Sequence, residues 1–509
     1  MTLTMNNLPN QPLYDVLVIG GGINGVGIAM DAAGRGLKVA LCEMQDLGGA
    51  TSSSSSRLIH GGLRYLEYYE FALVQKALHE RERLLANAPH IMWPLRFRLP
   101  HQSHLRPAWL IRLGLFFYDN LAPHSHLAGS RAVRFTEQDP LQARFTKGFE
   151  YSDGWVDDAR LVILCATAAQ QQGAAILPRQ RCVKAERQQQ TWLITLEHAL
   201  TGERTQLRSK ALVNATGPWA SQIFESVLPD LTTPQQLRLV KGSHIVVPRL
   251  HDGDEAYLLQ NKDGRIVFVL PYQSQFSLIG TTDVDYEGDA SHVAISGEEI
   301  EYLCSVVNSY FKQPISASDV VWTYAGVRPL MASAEGSAQQ ASRDYHFELD
   351  APSHQAPLLS IFGGKLTTYR LLAEQATDTL SRFFPQAGPP WTHHAVLPGG
   401  NFSTPAKLNQ ALLQDYPWLS APLRQRFVQS YGTLCHQFLS SAHQLADLGV
   451  YFGAGLYQAE VDYLVTQEWA HTADDILWRR TKLGLAFSPA QTVTLSAYLA
   501  SMDLKHFST

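Results

Sequence analysis

The sequence predicts an α/β (α+β) fold: a Rossmann-like nucleotide-binding domain, a β-rich domain inserted into it, and a helical C-terminal domain. Three observations predict it. An apolar strand at 15–19 runs straight into the glycine-rich turn Gly20-Gly21-Gly22-Ile23-Asn24-Gly25. Two further apolar strands, near 211–214 and 358–362, also break at glycine, far downstream. Beyond Leu397-Pro-Gly-Gly400 strand signals become few and helical periodicities take over, as in 461–469.

The first element is a βαβ unit over 14–43. Gly20 permits the tight turn, Gly22 lets the backbone approach a pyrophosphate, and Gly25 lets the helix pack close to the strand. Gly27, Ala29, Ala32 and Ala33 keep that helix slim against the sheet. Unpaired N–H groups at its N-terminus would face the pyrophosphate, where the helix dipole favours negative charge. The second strand ends at Glu43, 23 residues after Gly20, the spacing of an acid that accepts hydrogen bonds from ribose hydroxyls. The turn by itself does not separate NAD from FAD. The distant segments do, because a nucleotide domain assembled from three pieces around a second domain suits FAD better than a detachable NAD.

Next comes ATSSSSSRLIHGGLRYLE, residues 50–67. Its serine run reads either as a flexible connection or as a polar loop whose hydroxyls and N–H groups bind pyrophosphate and flavin edges. The run is too short to separate domains, and Leu58, Ile59 and Leu63 resume core character. In HQSHLRPAWLIRLGLFFYDNL, residues 101–121, Trp109, Leu110, Leu113, Leu115, Phe116 and Phe117 stand beside Arg106 and Arg112, with Arg96 and Arg98 nearby. That is the composition of a helix lying in a lipid interface, or of a buried core helix. It falls well short of the ~20 apolar residues that cross a bilayer. Near the C-terminus, Asp474-Asp475 and Arg479-Arg480 are expected to serve caps and ion pairs.

Bulk composition excludes other classes. At roughly 150 residues per domain the chain makes about three units. With 45% hydrophobic and 17% charged residues it can build a large core. A formal net charge of -5 offers no global basicity for nucleic acid. Cys42, Cys165, Cys182, Cys304 and Cys435 are scattered without a CxxC pair, which reads as reduced, buried thiols of a cytoplasmic protein rather than a metal site or disulfide set. No basic region followed by an apolar one marks a secretory signal at the N-terminus.

Taken in order, these segments resemble one family. VIGGGING, ATSSSSSRLIHGGLRYLE, SHLRPAW, YSDGWVDDARLV, VNATGPW, KGSHIVVPR, IGTTD, YAGVRP and FGGKLTTYR follow the sequence of motifs of the FAD-dependent (aerobic, respiratory) sn-glycerol-3-phosphate dehydrogenases, and ADDILWRRTKLGL fits near the C-terminus. The departures are Gly48-Gly49, where small or thiol residues are usual, and a short N-terminal extension. The resemblance covers nearly the whole chain and implies a FAD-binding domain of the D-amino-acid-oxidase/glutathione-reductase type. It implies an FAD-dependent oxidoreductase region over 14–396, with FAD-binding pieces at 14–90, 150–225 and 340–390 and substrate-domain pieces at 91–149 and 226–339; 397–509 forms the C-terminal helical domain. It further implies oxidation of sn-glycerol 3-phosphate to dihydroxyacetone phosphate by hydride transfer to FAD, with electrons passed to ubiquinone or menaquinone. Implied FAD contacts are Gly20, Gly22, Gly25, Glu43, Thr51, Ser52, Ser56, Leu58, His60, Gly61, Ala215, Thr216, Gly217, Gly364, Leu366 and Thr367, with no metal.

A small dianionic ester needs several cations and hydroxyls. The family pattern supplies Arg64 and Tyr65, Lys241 with His244, Thr281, and Arg328 with Lys365. Arg328, between Gly326 and Pro329, is the strongest candidate, because a planar guanidinium can clamp phosphate or polarise the hydroxyl being oxidised. Lys365 and the helix that follows it would bring positive charge near the flavin pyrimidine ring. His244 is the expected general base, with His60 competing. Expected partners are sn-glycerol 3-phosphate, a quinone and, through residues 101–121, a membrane surface; a homodimer is one option for assembly. The expected location is the cytoplasm, peripheral on the inner face of the cytoplasmic membrane. The rival enzyme reading is an FAD-dependent amine or amino-acid oxidase on the same fold, which needs no such set of cations for a phosphate. A flavoprotein scaffold or redox sensor would hold FAD without substrate-driven bleaching.

Overall fold

The computed structural model describes residues 12–102, 105–123, 127–331 and 344–502. Ser103 and His104 of the candidate interfacial stretch, and residues 340–343 of one expected FAD-binding piece, lie outside the described residues. The Leu13–Ile19 strand sits inside an eight-stranded sheet, parallel to Val39–Cys42 on one side and to Arg204–Asn214 on the other. Ala175–Leu177 extends the first side and Leu358–Phe362 the second, both parallel, and His346–Asp350 closes that edge antiparallel. A hairpin of Gln180–Gln188 and Thr191–His198 joins through Arg204–Asn214. Strands covered on both faces need no alternation, and Val39–Cys42 and Leu358–Phe362 are buried at every position. From Leu13–Ile19 the chain moves first to one side and much later to the other. The carboxyl end of that strand is therefore the switch point where such sheets open a crevice.

The second sheet has ten strands and is mostly antiparallel, with one parallel pairing between Met92–Pro100 and Ala256–Gln260. Its long members Leu237–Pro248 and Trp322–Met331 run antiparallel, with Val240 opposite Arg328, Gly242 opposite Gly326 and His244 opposite Tyr324. Side chains alternate along a strand, so Gly242, His244, Tyr324, Gly326 and Arg328 share one face. Ile245 and Val247 point the other way and pack with Leu303 and Val307 of the Gly297–Asn308 helix. We propose the domain division read from the sequence with one change, since Leu58–Ile59 and the whole of Lys147–Val156 pair within the second sheet.

The C-terminal region is helical, with Pro405–Asp415, Ala421–Tyr431, Gln458–Glu468 and Pro489–Ser501 as its main elements. Its apolar core is continuous with the helical face of the nucleotide sheet, joining Leu412, Tyr431 and Val461 to Val26, Leu164 and Leu372. A buried ion pair crosses the same seam, Arg160 Nη2 donating to Glu468 Oε1 at 2.9 Å. The candidate interfacial stretch forms the Ala108–Asn120 helix. Among the described residues no helix is long and apolar enough to cross a membrane.

Candidate active site

One cavity of about 870 Å³ runs from the end of Leu13–Ile19 to the shared face of the second sheet. At its nucleotide end the Gly20-to-Glu43 stretch contributes backbone and one carboxylate. A Cβ on Gly25 would stand 1.9 Å from the Gly20 carbonyl oxygen, so glycine alone allows the Ile23–Gly34 helix this close to the turn. Glu43 accepts from the Gly21 N–H at 2.7 Å and the Gln45 N–H at 2.8 Å, which fixes its carboxylate at the cavity wall. Burial pushes the Glu43 pKa up, against the pull of those two N–H groups.

The serine run is no spacer. Ser52 Oγ accepts from the Ile23 N–H at 3.0 Å, at the helix N-terminus. Thr51 Oγ1 donates to Val327 O at 2.7 Å, and Ser55 Oγ donates to Asp158 Oδ2 at 2.8 Å. The Tyr324 hydroxyl donates to Ser55 O at 2.8 Å, and Ser56 Oγ lies 2.9 Å from His244 Nε2. The run thus stitches the nucleotide turn to the second sheet, and Thr51, Ser52, Ser54, Ser55 and Ser56 line the cavity.

At the substrate end the facing glycines make room. A Cβ on Gly242 would stand 2.6 Å from Arg328 Nη2, and one on Gly326 would stand 2.8 Å from Ser54 Cβ. Arg328 is ion-paired with Asp283, and its Nη2 donates to Thr281 Oγ1 at 3.0 Å. Lys365 Nζ lies 4.3 Å from the centre of the Tyr65 ring. His244 is 2% exposed and stacks on Tyr324 with ring centres 4.6 Å apart. Burial, then the charges of Arg328 and Arg57, push its pKa down to about 3. His60 is half-buried in the cavity wall, its N–H 3.4 Å from Thr367 Oγ1.

Of the site residues expected from the sequence, all line this cavity except Gly25, Gly61 and Lys241. Gly25 acts from behind, by helix packing. Gly61 is turned into the protein, its N–H donating to the Tyr118 hydroxyl at 2.8 Å. Lys241 faces away, with Nζ 2.8 Å from Glu299 Oε2. Arg96 and Arg98 do not flank the Ala108–Asn120 helix toward lipid; they hold Glu150 at 2.7 Å and Asp139 at 2.9 Å. Sequence reasoning missed Asp283, whose only signal is an acid two residues after Thr281 in IGTTD. It also missed the Gln180–Val183 segment that walls the nucleotide end.

One stretch of the wall is apolar, with Phe97, Tyr151, Leu258, Ile266 and Phe268. These belong to the same cluster as Leu115 and Tyr118, on the inward face of the Ala108–Asn120 helix. Its outward face exposes Trp109, Leu113, Phe116 and Phe117. No group of His, Cys, Asp and Glu among the described residues could hold a metal ion. The glycine cradle, the helix N-terminus and Glu43 do fit the pyrophosphate and ribose of FAD, and the cations beyond them fit a small anion.

The family described as "FAD dependent oxidoreductase" matches residues 15–370, and that described as "C-terminal domain of alpha-glycerophosphate oxidase" matches residues 390–503. The chain is 52% identical to "Glycerol-3-phosphate dehydrogenase" of Pseudomonas aeruginosa over 98% of each chain. It is 48% identical to "D-erythritol 1-phosphate dehydrogenase" of Brucella abortus, over 96% of this chain and 98% of that one. Among solved structures it resembles the glycerol-3-phosphate dehydrogenase from Bacillus halodurans complexed with FAD, with a TM-score of 0.73 and 26% identity over 98% of this chain and 95% of that chain.

Proposed function

Because this chain belongs to the FAD-dependent oxidoreductase family and, within it, to the glycerol-3-phosphate dehydrogenases, we propose that it oxidises sn-glycerol 3-phosphate to dihydroxyacetone phosphate. The observation that carries the reading is one cavity with the Gly20–Glu43 dinucleotide cradle at one end and Arg328, Lys365 and Arg64 at the other. Bound FAD supplies the hydride acceptor and, once reduced, the electrons that leave. Arg328 and Lys365 hold the substrate's negative charge, whether on phosphate or on the developing alkoxide. Arg328 is aimed by Asp283 and Thr281, so its guanidinium plane is set before substrate arrives.

The proton of the oxidised hydroxyl goes to an imidazole. His244, favoured from the sequence, is 2% exposed, has its Nε2 on Ser56, and has a pKa pushed down to about 3. Those are the properties of a positioning residue that fixes Ser56, and we assign the base to His60, in the open wall of the same cavity. Electrons pass on to a membrane quinone, a reading supported by the apolar wall and its shared core with the Ala108–Asn120 helix. The exposed Trp109, Leu113, Phe116 and Phe117 face supports peripheral attachment to the inner face of the cytoplasmic membrane.

A second substrate is favoured by one observation, the 48% identity to a D-erythritol 1-phosphate dehydrogenase. Anaerobic bleaching of the flavin separates the readings. Glycerol 3-phosphate should bleach it fully and faster than D-erythritol 1-phosphate, and denaturation should release FAD, not FMN. Faster bleaching by the erythritol ester would move the substrate; bleaching by amino acids alone, or released FMN, would overturn the proposal.

A further inference from the structure

Residues 475–482 belong to the C-terminal region and line no part of the cavity, yet they reach both of its ends from behind. Arg480 is fully buried and grips Asp46 with both nitrogens, Nη1 to Oδ2 at 2.6 Å and Nη2 to Oδ1 at 2.8 Å. Its remaining reach is spent on Glu468 O, at 2.7 Å from Nη2. Arg479 pairs with the same Asp46. Asp46 stands in the loop that carries Glu43, and that loop folds back on the glycine turn through Gly48 N to Gly21 O at 3.0 Å. Arg179 adds a second tie, its N–H on Gln45 O at 2.9 Å and its guanidinium on Asp475.

The other arm is aromatic. Trp478 stacks on Trp322 with ring centres 4.4 Å apart and planes at 19°. Trp322 lies 5.0 Å from Tyr324, whose ring stacks on His244. Alongside, the buried Lys482 ammonium lies 3.6 Å from Asp157 and 3.7 Å from Asp158, and Asp158 holds Ser55 by both N–H and hydroxyl. Two independent chains of contact therefore run from one short segment, one to the ribose acid and one to the wall made by Ser55, Ser56 and His244.

We propose that the Asp475–Lys482 segment is a positioning element for the active site: Arg480, with Arg479, sets the loop that presents Glu43 to the cofactor, and Trp478, with Lys482, sets the Ser55–Ser56–His244 wall. This rests on the placement of FAD and substrate proposed above. It gives the C-terminal region a function that no catalytic motif of its own would supply. A region that contributed only folding stability would weaken cofactor binding and turnover together. The two arms touch different ends of the cavity and should be separable.

The test compares purified full-length Arg480→Met and Trp478→Ala with Glu460→Gln, a buried change in the same region whose partners are Arg426 and Tyr431. FAD affinity is read by reconstituting the apoprotein, and turnover by a soluble dye acceptor at saturating FAD. Arg480→Met should raise the FAD dissociation constant about tenfold or more while kcat at saturating FAD stays within about threefold. Trp478→Ala should leave FAD affinity within about threefold and lower kcat about fivefold or more, with Trp478→Phe regaining much of it. Glu460→Gln should lower Tm and move neither. If all three variants lose FAD affinity and kcat in proportion to their loss of Tm, the segment is structural and the inference falls. Should Arg480→Met fail to fold, Arg479→Met, whose side chain is 19% exposed, carries the same test. If glycerol 3-phosphate does not reduce the wild-type flavin, the proposed function fails, while the FAD-affinity arm, which needs no substrate, still decides this one.

Discussion

The two ends of the cavity are built in opposite ways. The nucleotide cradle comes largely from one unbroken stretch, Gly20 to Glu43, and works through missing side chains and backbone N–H groups. The substrate end takes His60 and Arg64 from one segment and Thr281, Arg328 and Lys365 from three others, and works through side-chain charge. The first end fails when an atom is added; the second, although Gly242 and Gly326 leave no room there either, fails also when a charge is removed. Substitutions can be ranked against that contrast by their cost in turnover with a soluble acceptor.

Gly25→Ala should cost the most. The new methyl would stand 1.9 Å from Gly20 O, where neither helix nor turn can yield without opening the cradle. FAD affinity should fall at least about tenfold, each tenfold being about 1.4 kcal/mol, and the protein as purified should be nearly colourless. A yellow Gly25→Ala protein with wild-type flavin content would show that the end is not limited by space.

Arg328→Met comes next and tests the other end. Removing a charge-assisted contact to phosphate or alkoxide should cost about 2–4 kcal/mol of transition-state stabilisation, on the order of a hundredfold or more in kcat/KM. Flavin content should hold, since the cradle is untouched. Arg328→Lys should recover only part, because a point charge cannot reproduce a plane set by Asp283 and Thr281. A kcat/KM within threefold of wild type would remove Arg328 from the site.

The same contrast explains what is legible in the sequence alone. Gly20, Gly22, Gly25 and Glu43 are close in sequence, so spacing alone carries their geometry. The order of apolar strands was likewise enough for the nucleotide sheet, because a strand buried on both faces announces itself in composition. The expectation that Lys241 joins the substrate site fails for a reason also present in the sequence. It lies three residues before His244 in one strand, and an odd separation puts the two on opposite faces. Local composition groups Arg96 and Arg98 with a neighbouring helix, whereas their carboxylate partners at Glu150 and Asp139 come from pairing no local pattern reveals. The grip of Arg480 on Asp46, 434 residues apart, has no local signature at all.

A milder comparison sets two buried histidines against each other. His244 stands at the substrate end and His90 beside the C-terminal seam, near Gly399 and Gly432. Burial, with Arg160 nearby, pushes the His90 pKa down to about 3, as burial and two arginines do for His244. A folded pKa below the ordinary value of about 6.5 means that only the unfolded chain takes up the proton between those limits. Stability is then fully present above about pH 6.5 and is lost as pH falls toward the folded value. At pH 5 each histidine should account for up to about 2 kcal/mol of lost stability. His90→Asn should flatten the fall of Tm between pH 7 and 5 and leave turnover near wild type; His244→Asn should flatten it and slow turnover as well. A Tm profile of His90→Asn parallel to wild type would mean that His90 protonates in the folded protein.

The smallest cost in soluble turnover belongs to the helix with two apolar faces. Leu115 is fully buried and Tyr118 nearly so, while Leu113, Phe116 and Phe117 on the outer face are 41%, 53% and 40% exposed. Because these three are only half covered by protein, each can still gain about 1.5 kcal/mol by entering lipid. Arg112, which donates to Ser130 Oγ at 2.9 Å, and Arg106 lie on the exposed side and could add up to about 1 kcal/mol each near anionic headgroups, a part that salt should weaken. Replacing Leu113, Phe116 and Phe117 together by serine should therefore release the protein from anionic liposomes and impair quinone reduction. Folding stability should change by only about 0.5 kcal/mol per site, as for surface positions, and turnover with a soluble dye should stay near wild type. Leu115→Ser, on the same helix but facing the cavity's apolar wall, should do the reverse: it should destabilise the fold and leave the lipid-facing residues in place. If the triple variant keeps its liposome binding, the outer face serves some other contact. If it loses FAD instead, the helix is one buried element, and the distinction between its two faces is gone.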